Sequence, residues 1–159
     1  MMCTECTEVL DRYYRTVLDR YGSLINLSVN DDNIVLVAAA GAIPPLVALL
    51  GPHSSDRVQK EAAGALRNLS SNTDNTVLIA SAGAIPPLVA LLGPHSSADD
   101  QEAATNLSAL RNLSKNVNNR ALIIAAGAIA PLIVLSGPQS SVPVQECTKY
   151  GLKGIHCSL

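Results

Sequence analysis

The sequence predicts an all-α solenoid, a stack of helical units that bury their apolar faces against one another. Three observations carry this. The string Gly-Ala-Ile-Pro-Pro-Leu-Val-Ala-Leu-Leu-Gly-Pro-His-Ser-Ser runs from Gly41 to Ser55 and returns unchanged from Gly83 to Ser97, 42 residues later, with a degenerate third copy from Gly127 to Ser141. A second motif, Ala-Leu-Arg-Asn-Leu-Ser, runs from Ala65 to Ser70 and returns from Ala109 to Ser114, 44 residues later. Charge follows the same period: residues 33–55, 75–98 and 121–145 contain no Asp, Glu, Lys or Arg. Self-similarity at a period of roughly 20 to 50 residues marks stacked units, each too small to bury its own apolar face alone.

Each element of the unit is readable. Gly41 closes the apolar run from Ile34 to Ala40 and suits the left-handed residue that follows a helix. Pro44 and Pro45 belong in a first helical turn, where no amide donor is needed, and Gly51-Pro52 stops the short second helix. Ser54 or Ser55 can cap a third helix running through Ser70, in which Val58, Ala62, Ala65, Leu66 and Leu69 form one apolar stripe. The same triplet is expected at about 74–82, 85–92 and 97–114, then at about 118–126, 129–136 and 141–157. Ahead of them, Leu24-Ile25-Asn26-Leu27-Ser28 lies 42 residues before Leu66-Arg67-Asn68-Leu69-Ser70, so an extra third helix opens the array.

The resulting organisation is a tail over 1–11, a partial unit over 12–30, and full units over about 31–72, 73–116 and 117–159. Val144, Leu152 and Ile155 repeat Val58, Leu66 and Leu69 at an offset of 86, which makes the last helix a third-helix copy. All four tyrosines, Tyr13, Tyr14, Tyr21 and Tyr150, fall on the terminal helices, as expected of residues that cover the ends of a stack. An array that begins and ends partway through a unit is expected of a fragment, with end faces that favour self-association.

The second unit is two residues longer than the first. If no gap falls inside its third helix, Asn106 takes the place of the core residue Ala62. An unpaired buried amide costs about 1 to 3 kcal/mol. The expectation is therefore that the helix shifts or extends, and that Ala103, Leu107, Leu110 and Leu113 form the buried row.

A short, a short and a long helix per unit, with Gly-Ala-Ile-Pro-Pro-Leu-Val-x-Leu-Leu followed by Ala-Leu-Arg-Asn-Leu-Ser, resembles the armadillo repeat from about Tyr13 onward. The units look most like those of plant, algal and fungal vacuolar armadillo proteins. This resemblance implies a right-handed armadillo-type superhelix of three triple-helix repeats and one partial N-terminal repeat. It also implies a non-enzymatic adaptor, whose third helices line a concave groove that holds an extended peptide on a row of asparagines.

Matched residue by residue, that row is Asn26, Asn68 and Asn112, and the flanking cations are Arg67, Arg111 and Lys153. Amides offer a peptide backbone both donor and acceptor, and arginine offers a fork matched to carboxylate or phosphate. The expected ligand is an extended peptide with acidic or phosphorylated residues. The blander alternative is that the arginines are solvated and the asparagines bond only to the neighbouring unit. Nuclear-import adaptors of this family carry a Trp four residues before each Asn; here Gly22, Gly64 and Ser108 stand there, so Lys-rich import cargo is not expected. Two further readings accompany the resemblance: the substrate-binding part of an armadillo U-box ubiquitin ligase, and an organelle tether lipidated at Cys3 or Cys6.

Other functions find little support. A net charge of −2 and the lack of Trp and Phe argue against nucleic acid. Cys3 and Cys6 form a lone CxxC, with Cys147 and Cys157 at the far end, a weak metal or redox signal, and no cofactor is expected. The first ten residues lack the regions of a signal peptide, and position 2 is not Gly, so a reducing, cytoplasmic compartment is the default, with nuclear or membrane-peripheral placement as variants. The apolar stretch from Ile34 to Gly51 is long enough to score as a membrane span, but Gly41 and Pro44-Pro45 break it into two short helices at a corner. His53, Ser54 and Ser55 lack a fixed acidic partner, and no phosphate loop or nucleophile elbow is present. The Asn-Leu-Ser sequons at Asn26, Asn68, Asn106 and Asn112 are by-products of the repeat.

Overall fold

The computed structural model describes Gly22, Ser23, Asn26, Leu27 and residues 29–93 and 100–136. Cys3, Cys6, Cys147, Cys157, the four tyrosines, Lys153 and the third helix expected over 141–157 lie outside the described residues. Among the described residues eight complete helices follow one another, in two triplets and a pair. The first triplet is α1 (Asp31–Ala39), α2 (Ile43–Ala48) and α3 (Asp56–Leu69). The second is α4 (Thr73–Ser81), α5 (Ile85–Ala90) and α6 (Asp100–Leu113), and α7 (Val117–Ala125) and α8 (Ile129–Leu135) open the third. No strand occurs among the described residues.

The corners are built by glycine. Gly41, Gly83 and Gly127 have φ of 81°, 82° and 79°, a region that residues with a Cβ avoid. At the middle corner Gly83 N–H donates to Ala80 O at 3.0 Å and Ala84 N–H to Ile79 O at 3.3 Å, which closes the end of α4 as a Schellman motif. The chain then turns sharply into the next helix; α7 and α8 meet at 88°. No single described helix is long and apolar enough to cross a membrane. Pro44-Pro45 and Pro86-Pro87 occupy the first turns of α2 and α5, where their missing amides cost nothing.

The third helices carry the core. Val58, Ala62, Ala65, Leu66 and Leu69 of α3 are all buried, as the apolar stripe predicts. One apolar cluster runs without interruption from Ile34 through Leu66, Leu88 and Leu110 to Leu132, and α3 against α6 is its most extensive helix pair. Ser55 stands at the N-cap of α3 with an extended backbone, but its side chain makes no capping bond. Gln59 instead ties this end down, donating from Nε2 to Gly51 O at 2.8 Å.

Buried asparagines lock each unit onto the one before it. Asn75, on α4, donates from Nδ2 to Leu69 O at 3.1 Å and to Ile34 O at 3.4 Å. Asn119, on α7, repeats this to Leu113 O and to Thr76 O, both at 3.1 Å. Asn72 and Asn116 cap the same helices by accepting from backbone amides of their first turns. Asn75 and Asn119 are almost fully buried, so truncating either strands two carbonyls of the preceding unit away from water. Asn119→Ala is expected to lower unfolding free energy by about 2 kcal/mol in urea titrations.

The expected shift of the second third helix does not occur. Residues Asp100–Leu113 match Asp56–Leu69 one for one at an offset of 44, whereas α5 follows α2 at 42, so the two extra residues fall in the connection before Asp100. Ala103, Leu107, Leu110 and Leu113 are buried as expected. Asn106 nevertheless stays in phase with Ala62, fully buried, with neither Nδ2 nor Oδ1 hydrogen-bonded. The physical reason is that α6 must keep Leu110 and Leu113 in register with α3, and shifting the helix to expose one amide would expose that whole row. Asn106→Ala, which restores the residue at the matching place in α3, is expected to raise unfolding free energy by about 1 kcal/mol; a loss in the same titration would show that the amide has a buried partner.

Candidate functional site

The last turns of α3 and α6 bring the same residue types to the same height in successive units. Arg67 and Asn68 stand in the last turn of α3, and Arg111 and Asn112 in the last turn of α6. Because the two helices keep an offset of 44 and pack side by side, these four residues line one pocket of about 440 Å³. Ser71 and Ser108 complete its polar wall, and Val29 and Ile34, from the turn before α1 and from α1 itself, form an apolar end. Among the described residues no Asp or Glu lines it. Among the described residues no carboxylate pairs with Arg67, whose stem is half-buried.

The amides are not idle in this pocket. Arg67 donates from Nε and from Nη2 to Asn68 Oδ1, at 3.3 and 3.1 Å. Asn112 donates from Nδ2 back to the preceding unit, to Ser70 Oγ at 3.2 Å and Arg67 O at 3.4 Å. Ser71 and Ser108 donate their hydroxyls to carbonyls about one turn back, Asn68 O at 2.8 Å and Ala104 O at 2.7 Å. The site thus holds two guanidinium groups, each with five N–H donors in a planar fork.

Of the six residues expected from the sequence, four meet here. Asn26 is exposed and lies outside this pocket, and Lys153 lies outside the described residues. The sequence reading did not anticipate Val29 and Ile34. Val29 stands 42 residues before Ser71, at the same position of the preceding unit, but its change from hydroxyl to apolar hid the correspondence. Among the described residues no group of three or more His, Cys, Asp and Glu could hold a metal ion.

The stacked triple-helix units with these corners define an α-solenoid, and the comparisons narrow it. The model of the Armadillo/beta-catenin-like repeat matches residues 30–71 and 72–115, more than half of the chain. The chain belongs to the armadillo-repeat family. Solved structures agree: computationally designed armadillo repeat proteins for modular peptide recognition match at 28% identity and a TM-score of 0.74, over 84% of this chain and 56% of theirs. An engineered protein matches at 33% identity and 0.76, over 87% and 56%. A designed armadillo repeat protein in complex with the peptide (KR)4 matches at 28% and 0.75, over 91% and 59%. This chain thus spans between half and two thirds of those proteins' length. No curated protein matches the sequence. An armadillo stack is in general a non-enzymatic protein-binding scaffold.

Proposed function

We propose that this protein binds an extended segment of a partner protein along the third helices, and that the segment carries acidic or phosphorylated side chains between α3 and α6. One observation carries the reading: Arg67 and Arg111 line a single pocket into which no described residue places a carboxylate. Two guanidinium groups side by side repel each other and are stabilised by an anionic oxygen group between them, which accepts charge-assisted hydrogen bonds from both. The apolar end at Val29 and Ile34 takes an aliphatic neighbour of that anionic residue.

The sign of the charge separates this groove from its designed relative. That protein's peptide, (KR)4, is basic; two arginines repel such a peptide. Charge therefore selects the partner, while the common fold sets only its extended form.

Fluorescence anisotropy with labelled octapeptides tests this. The alternating acidic peptide (Asp-Glu)4 is expected to bind, more weakly as salt rises, and (Lys-Arg)4 is expected not to. Replacing both Arg67 and Arg111 by Met, which keeps much of the apolar stem, is expected to weaken the acidic peptide at least about tenfold. Equal binding of the acidic peptide by wild type and double variant, or preference for the basic peptide, would overturn the reading.

A further inference from the structure

Arg67 and Asn68 are adjacent in sequence, so their side chains leave α3 about 100° apart and do not face each other by default. Arg67 nonetheless curls so that Nε and Nη2 both reach Asn68 Oδ1, at 3.3 and 3.1 Å. The next unit differs. Asn112 uses Nδ2 toward Ser70 and Arg67 O, and no bond joins Arg111 to Asn112 among the described residues. Two successive units thus carry the same Arg-Asn pair in two arrangements: Asn68 Oδ1 accepts from Arg67, whereas Asn112 Oδ1 accepts from no described residue.

Resting on the peptide-groove reading above, we propose that Arg67 is a gate on Asn68, which makes an anionic side chain a condition for backbone binding at this unit. The backbone N–H of a neutral peptide has to displace Arg67 from Oδ1, leaving the guanidinium without its partner. A peptide with a carboxylate or phosphate beside that N–H draws the guanidinium to itself, by a charge-assisted bond about twice as strong as a neutral one. Oδ1 is then released to accept from the peptide. Backbone and side-chain recognition become one coupled event, and neutral extended segments, which every unfolded chain offers, are turned away. Asn112 accepts backbone without this condition. Arg67 acts as a specificity-determining residue by exclusion as well as attraction.

The gate predicts opposite signs for one substitution. The probes are (Asp-Glu)4, its neutral counterpart (Asn-Gln)4, and an alternating phosphoserine-serine octapeptide that separates phosphate from carboxylate as the releasing group. Arg67→Met is expected to weaken both anionic peptides while tightening the neutral one about fivefold, the worth of one hydrogen bond. Arg111→Met is expected to weaken the anionic peptides without tightening the neutral one. In the Asn68→Ala background, Arg67→Met is expected to give no gain for the neutral peptide, since no acceptor remains to be released. Arg67→Gln supplies a second variant in case the first does not fold; it removes the charge and the fork and is expected to move both affinities in the same directions.

If Arg67→Met binds (Asn-Gln)4 no better than wild type, including no detectable binding by either, the gate is wrong. The groove reading survives that result provided the acidic peptide still depends on Arg67 and Arg111. If no octapeptide binds any variant, both fall together.

Discussion

The structure depends on one buried hydrogen-bond donor repeated once per unit. The Nδ2 group of Asn75, and of Asn119 after it, reaches at once the last turn of the third helix just completed and the first helix of the unit before. Apolar packing fixes which face of each helix is buried, but being non-directional it resists a small sliding of one unit along the next less sharply than a hydrogen bond does. A buried amide does not tolerate it, since both its bonds fail together and their partners are stranded. These clamps set the phase of the stack. The α3–α6 groove is a consequence: Arg67 and Arg111 come to the same height because the units around them are pinned.

Phase also explains the one place where the protein accepts a plain cost. Two extra residues lie between α5 and α6, and they are absorbed before Asp100 instead of within the helix. The helix keeps its register with α3, and Asn106 goes into the core without a partner. A row that includes Leu107, Leu110 and Leu113 outweighs a single amide, since each buried leucine contributes about 1.5 to 3 kcal/mol.

Much of this was legible in the sequence, for local reasons. Gly41, Gly83 and Gly127 announce the corners because a left-handed backbone is a property of a few adjacent residues, and the proline pairs mark helix starts for the same reason. The stripe of α3 was readable because 3.6-residue periodicity is written along one helix. What escaped was decided between units. Where the extra pair of residues goes depends on packing against α3, the clamping role of Asn75 depends on a carbonyl 41 residues away, and the grip of Arg67 on Asn68 depends on how a long side chain curls. Val29 and Ile34 escaped because the same position carries a different residue type in each unit.

Charge is segregated by the same plan. The segments that form the first two helices of each unit hold no charged residue after Asp74 in the second or Arg120 in the third, and so supply packing surface, whereas the third helices carry the groove's polar chemistry. The central claim is that recognition resides there. The most direct measurement is a titration of isotope-labelled protein with (Asp-Glu)4, following amide and arginine side-chain resonances by NMR. The account predicts that shifts concentrate at Arg67, Asn68, Arg111 and Asn112, with the Arg67 Nε–H moving together with the Asn68 side chain. Shifts confined to the outer faces of α1, α4 and α7, around Leu36, Leu78 and Leu122, would contradict it.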